Sequence, residues 1–561
     1  MYKKINLLAG ALLLLTACSK SSGSSGGGSG TVTPPPQYFQ LSSTTINGGK
    51  TASTNYNVNT APVIRFVFTA PIDHSSAAAS ITFKDNSGGA IAFTPSFANG
   101  DSTVIVQPAA ALKYLVPYTI QVATSLSDHA GDKLNSASLL HFMTTIDSTD
   151  KFPRISDSAL LDLVEQQTLA YFWDFGHPVS GLARERTSSG DVTTTGGSGF
   201  GIMGIIAGVS RGFISRTDAL TRLQTIVQFL ADPTKVTRYH GAFSHWINGA
   251  TGATIPFSAN DDGGDIVETS YLMQGLLCAR QYFNSTTDPG EIALRTTINT
   301  LWNGVDYNWY RQNGQNVLYW NWSPNKAWAV NVQVTGWDEA LITYVLAASA
   351  TNPIPKNVYD AGWALNGAIA NGKFYYGIKL PLGPDEGGPL FFAHYSFLGI
   401  DPRQLSDAYA SYWTQDTAHA RINYLYCANN PGGFYGYSNL CWGLTASDEP
   451  NGYSAHSPTN DNGVISPTAA VSSLPYTPAE SMNAIRFFYY TLGDKTWGKY
   501  GFTDAFSLTS PWFDNDRIAI DQGPQIVMIE NYRSGLLWNL FMSCPEVQTG
   551  MKALGFTSPH F

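Results

Sequence analysis

Hydrophobic and polar positions change their rhythm once along this chain. Residues 37–147 carry short apolar runs with a two-residue period. Tyr118-Thr119-Ile120-Gln121-Val122 alternates cleanly, and Val63–Phe68 and Thr103–Val106 are rich in β-branched and aromatic residues. Turn signals such as Asn86-Ser87-Gly88-Gly89 and Asn99-Gly100-Asp101 separate them, which predicts a small β-sandwich. From about residue 155 the period becomes helical. Leu160, Leu163, Val164 and Tyr171 share one stripe of a helix expected to run to Phe172, capped by Asp157 or Ser158. Further helical runs are expected near 200–230, 265–283, 290–303, 337–350, 359–371, 404–415, 467–473, 479–491 and 524–543. Long loops rich in Gly, Pro, Asn, Trp and Tyr lie between them. This mostly α pattern fits a helical toroid, with a cleft built by loops at one end, better than a simple bundle.

The first residues belong to neither region. Lys3 and Lys4 precede an apolar stretch, Leu7–Leu15, that is too short to span a bilayer and reads as a signal peptide over 1–17. Leu15-Thr16-Ala17-Cys18 resembles a bacterial lipobox, which implies cleavage before Cys18 and a lipid anchor on its thiol. An ordinary signal peptide with a chance cysteine is the alternative. Residues 18–36, almost all Ser, Gly, Thr and Pro, form a tether. The expected location is the cell envelope, on the periplasmic or the surface face of the outer membrane. The Ig-like region then covers 37–147 and the helical domain 152–561.

Composition narrows the partners. A net charge of −9 without a basic run argues against nucleic acid. Cys278, Cys427, Cys441 and Cys544 form no Cys/His cluster, so no zinc site is expected. Cys427 and Cys441 are either disulfide-bonded or two buried thiols. Asn460-Asp461-Asn462-Gly463 offers oxygen ligands, but a plain turn is the simpler reading. No metal or cofactor is required, and a monomer is expected.

Charged residues make up only 13% of the chain, yet Asp261, Asp262, Asp265 and Glu268 fall within eight positions. Asp265 and Glu268 share a helix face at i, i+3. Acids at a helix start are stabilised by its free N–H groups, which explains any one of them. Acid clusters recur beside Trp and Gly, however. Gly336-Trp337-Asp338-Glu339 opens one helix and Asp521-Gln522-Gly523-Pro524 another, while Asp448 lies in the long loop 442–453. Paired carboxylates among aromatics suggest glycoside hydrolysis. In a double-ringed α-barrel the inner helices start at one rim, so these acids would converge.

The ordered stretches Tyr171–Phe175, Gly181–Arg186, Gly199-Phe200-Gly201, Asp265–Thr269, Gly336–Glu339 and Trp442–Asp448 resemble the bacterial glucoamylase-like proteins. Within these the chain is similar to glycoside hydrolase family 144, the endo-β-1,2-glucanases, over about 155–561. Pro62–Asp73 and Leu112–Thr119 resemble bacterial Ig-like domains, which act as spacers. The resemblance implies an (α/α)6 barrel that hydrolyses β-1,2-glucan with inversion, with Asp265, Glu268 and Glu339 in the cleft. Glu339 is assigned as acid and Asp521 as candidate base; Asp448, a substrate ligand, and Glu530 are rival bases. Asp261, Asp338, Arg184, Arg186, His245, His394, Tyr319, Trp337 and Trp442 are candidate substrate contacts. Trp320, Trp322 and Trp328 are further candidate platforms. The aromatics have barrel-wall burial as the alternative, and the arginines an ion pair. The expected partner is a β-glucan oligo- or polysaccharide. An exo-acting, sophorose-releasing enzyme or a β-glucosidase is the first alternative, and a noncatalytic glycan-binding lipoprotein the second.

Overall fold

The computed structural model describes residues 39–561. The signal peptide, Cys18 and the tether lie outside the described residues. Two compact units are present, one built from residues 39–54, 61–111 and 119–141, the other chiefly from 142–561.

The first unit contains an antiparallel sheet with strand order Gly49–Lys50, Leu41–Ile46, Ile64–Phe68, Thr103–Val106, Ser96–Ala98. Ile64, Phe66 and Phe68 point inward while Arg65 is exposed, which is the period of a one-sided sheet. A second sheet runs in the order Asn55–Val58, Ser138–Thr144, Pro117–Val122, Ile81–Asp85. Its Ile120, Val122 and Phe142 are buried. The two sheets are those of an Ig-like sandwich.

The large unit is an (α/α)6 barrel. Some of its helices are buried almost all round, as inner-ring helices must be. Thr195–Ser210, Ile266–Tyr282, Leu341–Ser349 and Ala519–Ser534 are of this kind. Others, such as Arg216–Ala231 and Pro545–Leu554, bury a single face. Glycines permit the closest inner contact. A Cβ on Gly275 would lie 2.1 Å from the Gly199 carbonyl oxygen, and one on Gly199 2.1 Å from that of Tyr271.

Several expected elements differ in detail. The first helix is Asp157–Trp173, and its cap is Ser156, whose side chain accepts the Ala159 N–H. The run expected over 200–230 is two helices, broken before Ser215, which caps the second. The run expected over 524–543 starts earlier, as Ala519–Ser534, and breaks at Gly535, where φ is +70°. Residues 359–371 form only short turns, because Leu365 and Asn366 hold positive φ. Of the segment expected at 404–415 only 412–415 is helical, as the start of Tyr412–Asn429. Its buried positions include Gln415, Asp416, His419 and Asn423, so its sequence lacks the apolar stripe that marks a core helix. Among the described residues no helix is long and apolar enough to cross a membrane.

Candidate active site

The site starts from a capped helix. Asp265 ends a two-residue strand paired with Asn321-Trp322 and caps Ile266–Tyr282. One carboxylate oxygen accepts the N–H groups of Val267 and Glu268 at 3.0 and 2.9 Å; the other meets His245 Nδ1 at 3.0 Å. Glu268 follows on the first turn and accepts the Gly196 N–H at 2.7 Å and the Thr194 hydroxyl at 3.4 Å. Asp261 accepts from the Asn321 amide. All three acids are buried. Burial opposes charge on His245, but Glu268, Asp265 and Asp261 outweigh it and push its pKa up to about 9. Burial, then Asp265, lifts Asp261 to about 7, and burial lifts Glu268. His245 therefore places a positive charge among the three acids.

Glu339 is fixed through its backbone just before Leu341–Ser349. Its carbonyl accepts the Ser396 hydroxyl at 2.5 Å and the Tyr271 hydroxyl at 3.2 Å. Its side chain lines the cleft. Burial, followed by the charges of Asp338, Glu268 and Asp265, holds this carboxyl well above the usual range, with His245 opposing. A carboxyl whose pKa is raised in this way keeps its proton more readily and is suited to act as a proton donor.

A second group of acids is organised by the hairpin Ala446–Glu449 with Gly452–Ala455. Arg186 Nη1 meets Asp448 Oδ2 at 2.6 Å, while its Nε meets Glu185 at 2.9 Å. The Asp448 N–H donates to Asp504 Oδ2 at 2.8 Å. Among the described residues Asp521 meets no N–H or hydroxyl donor; its contact is the Asp504 carboxyl. Two carboxyls in contact share a proton. Burial and then Asp521 push Asp504 far up. Burial raises Asp521 to about 7, with Asp504 acting to lower it. Asp504 and Asp521 thus share one proton between them. Carboxylate oxygens of Asp448, Asp504 and Asp514 come within 4.8 Å of one another, the arrangement that would suit a cation if one were bound.

The cleft has a volume of about 420 Å³, within the range of ligand sites. Glu185, Arg186, Thr194, His245, Glu268 and Glu339 supply its polar wall, while Trp246, Phe257, Phe391, Tyr395 and Tyr453 supply aromatic surface. Phe257 stacks on His245 with centroids 4.1 Å apart and is 48% exposed, as a sugar platform at a mouth would be.

Other candidates lie elsewhere. Trp442 is wholly buried and donates to the Glu480 carbonyl. Trp337 donates to His419 Nδ1 and packs against Phe397 and Tyr412. Tyr319 is buried with its hydroxyl between Gln315 and Gln333. His394 pairs with Ser473, and burial lowers its pKa to about 3, so it is a neutral core histidine. Arg184 covers the Phe175 ring at 4.7 Å. Asp338 accepts the Ala340 N–H and fixes the backbone beside Glu339. These six are placed in the barrel wall or its supports rather than on the cleft surface. Trp322 and Trp328 join Trp309 in a separate aromatic cluster. Glu530 bonds Arg211 and Ser534 in an ion-pair network and is no rival base. The four cysteines outside the signal region are buried free thiols, and Asp461 serves a turn by accepting the Gly463 N–H. Sequence reasoning missed Asp504, Phe257, Tyr395 and Tyr453 as individual residues. Tyr453 lay within a loop already singled out; isolated Asp504 carried no signal.

The glycoamylase family model, described as "Putative glucoamylase", matches residues 331–545, and a bacterial Ig-like domain model matches 36–144. The chain is 50% identical to a solved endo-β-1,2-glucanase from Chitinophaga pinensis, in complex with sophorotriose and glucose. That match covers 73% of this chain and 100% of that one, with a TM-score of 0.71. A solved β-1,2-glucanase from Parabacteroides distasonis is 37% identical, over 92% of this chain and 73% of that one, with a TM-score of 0.69. A curated exo-β-1,2-glucooligosaccharide sophorohydrolase (non-reducing end), also of Parabacteroides distasonis, is 45% identical over 71% of this chain. The chain spans 58% of that relative's length. With half of the aligned residues identical across the full length of a solved relative, the chain belongs to the bacterial glucoamylase-like family, of the glycoside hydrolase family 144 type, preceded by an Ig-like domain.

Proposed function

We propose that the protein hydrolyses β-1,2-glucan within the chain, by an inverting mechanism, and releases β-1,2-glucooligosaccharides. The observation that carries this reading is Glu339: a half-buried carboxyl with a raised pKa, on the wall of an aromatic-lined cleft. Glu339 gives its proton to the glycosidic oxygen as the bond from that oxygen to the anomeric carbon breaks. Water attacks the opposite face of the anomeric carbon and forms the new C–O bond. Its proton passes to Asp521, a member of the shared-proton pair. Asp448, oriented by Arg186, is a sugar-hydroxyl ligand at the same wall. Glu268 and His245 line the cleft beside the acid, with Asp265 bonded to His245 behind them.

Resemblance supports the linkage and the endo mode through the Chitinophaga pinensis enzyme. The sophorohydrolase relative favours a second reading, release of sophorose from a chain end by the same site. The lipobox-like Leu15–Cys18 further supports a lipid anchor on Cys18, with residues 18–36 as tether and the Ig-like domain as spacer. A time course on linear β-1,2-glucan tests the proposal. A spread of oligosaccharides from the first minutes supports it, sophorose alone selects the exo reading, and no cleavage refutes both.

A further inference from the structure

The Ala446–Glu449/Gly452–Ala455 hairpin carries more than Asp448. Its register pairs Asp448 with Tyr453 and Ala446 with Ala455. Directly opposed residues share a face of a hairpin, and residues two apart on one strand do too. Ala446, Asp448, Tyr453 and Ala455 therefore form one face. Ala446, Tyr453 and Ala455 line the cleft, so this face looks into it, and the two alanines leave the phenol as the one long side chain reaching across it.

The phenol reaches a crowded place. Its acidity is suppressed by burial and then by Asp521, Asp504, Glu339 and Asp448. It therefore stands within electrostatic reach of both the acid and the carboxyls opposed to it. The charged groups around it come from every wall. Asp448 is on its own hairpin, Asp504, Asp514 and Asp516 flank the later Phe506-Ser507/Trp512-Phe513 strand pair, and Asp521 is on the inner helix Ala519–Ser534. Glu339, Glu185 and Arg186 complete the set. In such a field a phenol stays protonated, so it can only donate to an anion or accept from an O–H. Among the described residues its hydroxyl takes no hydrogen-bond partner, although the ring is 50% exposed to the cleft.

Resting on the proposed hydrolysis, we propose that Tyr453 is a catalytic residue whose hydroxyl donates a hydrogen bond to the attacking water or the receiving carboxylate. It fixes the water on the face of the anomeric carbon opposite Glu339. No proton is gained or lost by the phenol. The water's proton still passes to Asp521, and the leaving oxygen still takes that of Glu339. A hydroxyl that holds the attacking water in place for in-line attack acts mainly on turnover.

Tyr453→Phe keeps the ring and removes the hydroxyl, and Tyr453→Ala removes both. Initial rates on linear β-1,2-glucan are read across pH, with Glu339→Gln measured alongside. The phenylalanine variant is expected to lose roughly 10- to 100-fold in kcat with KM changed less than about threefold. Its acidic limb should move to higher pH, because a carboxylate that loses a donor is a weaker acid. The alanine variant should also raise KM. A phenylalanine variant with wild-type kcat and pH profile, or with a change in KM alone, overturns the inference. Retained activity in Glu339→Gln instead overturns the underlying reading, so the two failures are distinguishable.

Discussion

Gly196 offers a sharp test of whether Glu268 must be held where it is. It lies in the first turn of Thr195–Ser210 with helical neighbours on both sides, so alanine there is the better helix former by about 1 kcal/mol. Any loss on Gly196→Ala is therefore not a backbone effect. The new Cβ would sit 2.6 Å from Glu268 Oε2 and 2.8 Å from Tyr271 Cδ2. The carboxylate must retreat by several tenths of an ångström, and the 2.7 Å bond it accepts from the Gly196 N–H is weakened or lost. A hydrogen bond to a buried charge is worth about 1.5–3 kcal/mol, which corresponds to roughly 10- to 150-fold if all of it is expressed in the reaction. The assay is kcat/KM on β-1,2-glucan, with thermal unfolding on the same preparations. The expected result is a loss of that order with a melting temperature within a few degrees of wild type. Wild-type kcat/KM in a folded Gly196→Ala variant would refute the argument that the Glu268 position is set by this contact and matters to turnover.

Other consequences follow from the same geometry. His245 has its pKa raised from 6.5 to about 9. Its contribution to stability is thus complete below pH 6.5 and is lost as pH rises through 9, by about 3 kcal/mol; urea unfolding at pH 6.5 and 9.5 should show this loss in wild type and a flatter response in His245→Gln. With Glu339 acting protonated and Asp521 ionised, kcat should fall at high pH as Glu339 loses its proton. At low pH it should fall through a limb set near 7 rather than near 4; an acidic limb at an ordinary carboxylate position contradicts the assignment of Asp521. Gly275→Leu would drive a side chain into the Gly199 carbonyl and should destabilise the barrel by about 1–3 kcal/mol or prevent folding, as read by the denaturation midpoint.

Fold class was legible because its signals are local. The change of period near residue 150 separates strands from helices, and helix starts such as Pro289 and Pro467 carry their own punctuation. The Tyr412–Asn429 helix was not legible, since its inward positions are filled by Gln415, Asp416, His419 and Asn423. The site divides in the same way. Asp265 and Glu268 stand out because the cap and the first-turn acid adjoin each other in sequence. The Asp504–Asp521 pair and the Asp448–Arg186 bond join residues far apart along the chain, and no spacing announces them. Aromatic residues misled for a physical reason. Trp337 and Trp442 have the chemistry of sugar platforms, but a barrel wall needs the same large rings, and only burial tells the uses apart.

The assignment of Glu339 as acid in an inverting cleavage of β-1,2-glucan is the centre of the account. It is tested most directly by following the anomeric form of the first product by proton NMR, with wild type and Glu339→Gln side by side. The account predicts that wild type releases the α-anomer first, ahead of mutarotation, and that Glu339→Gln still binds the glucan but yields no product. Early β-anomer from wild type, or normal turnover by Glu339→Gln, would contradict it.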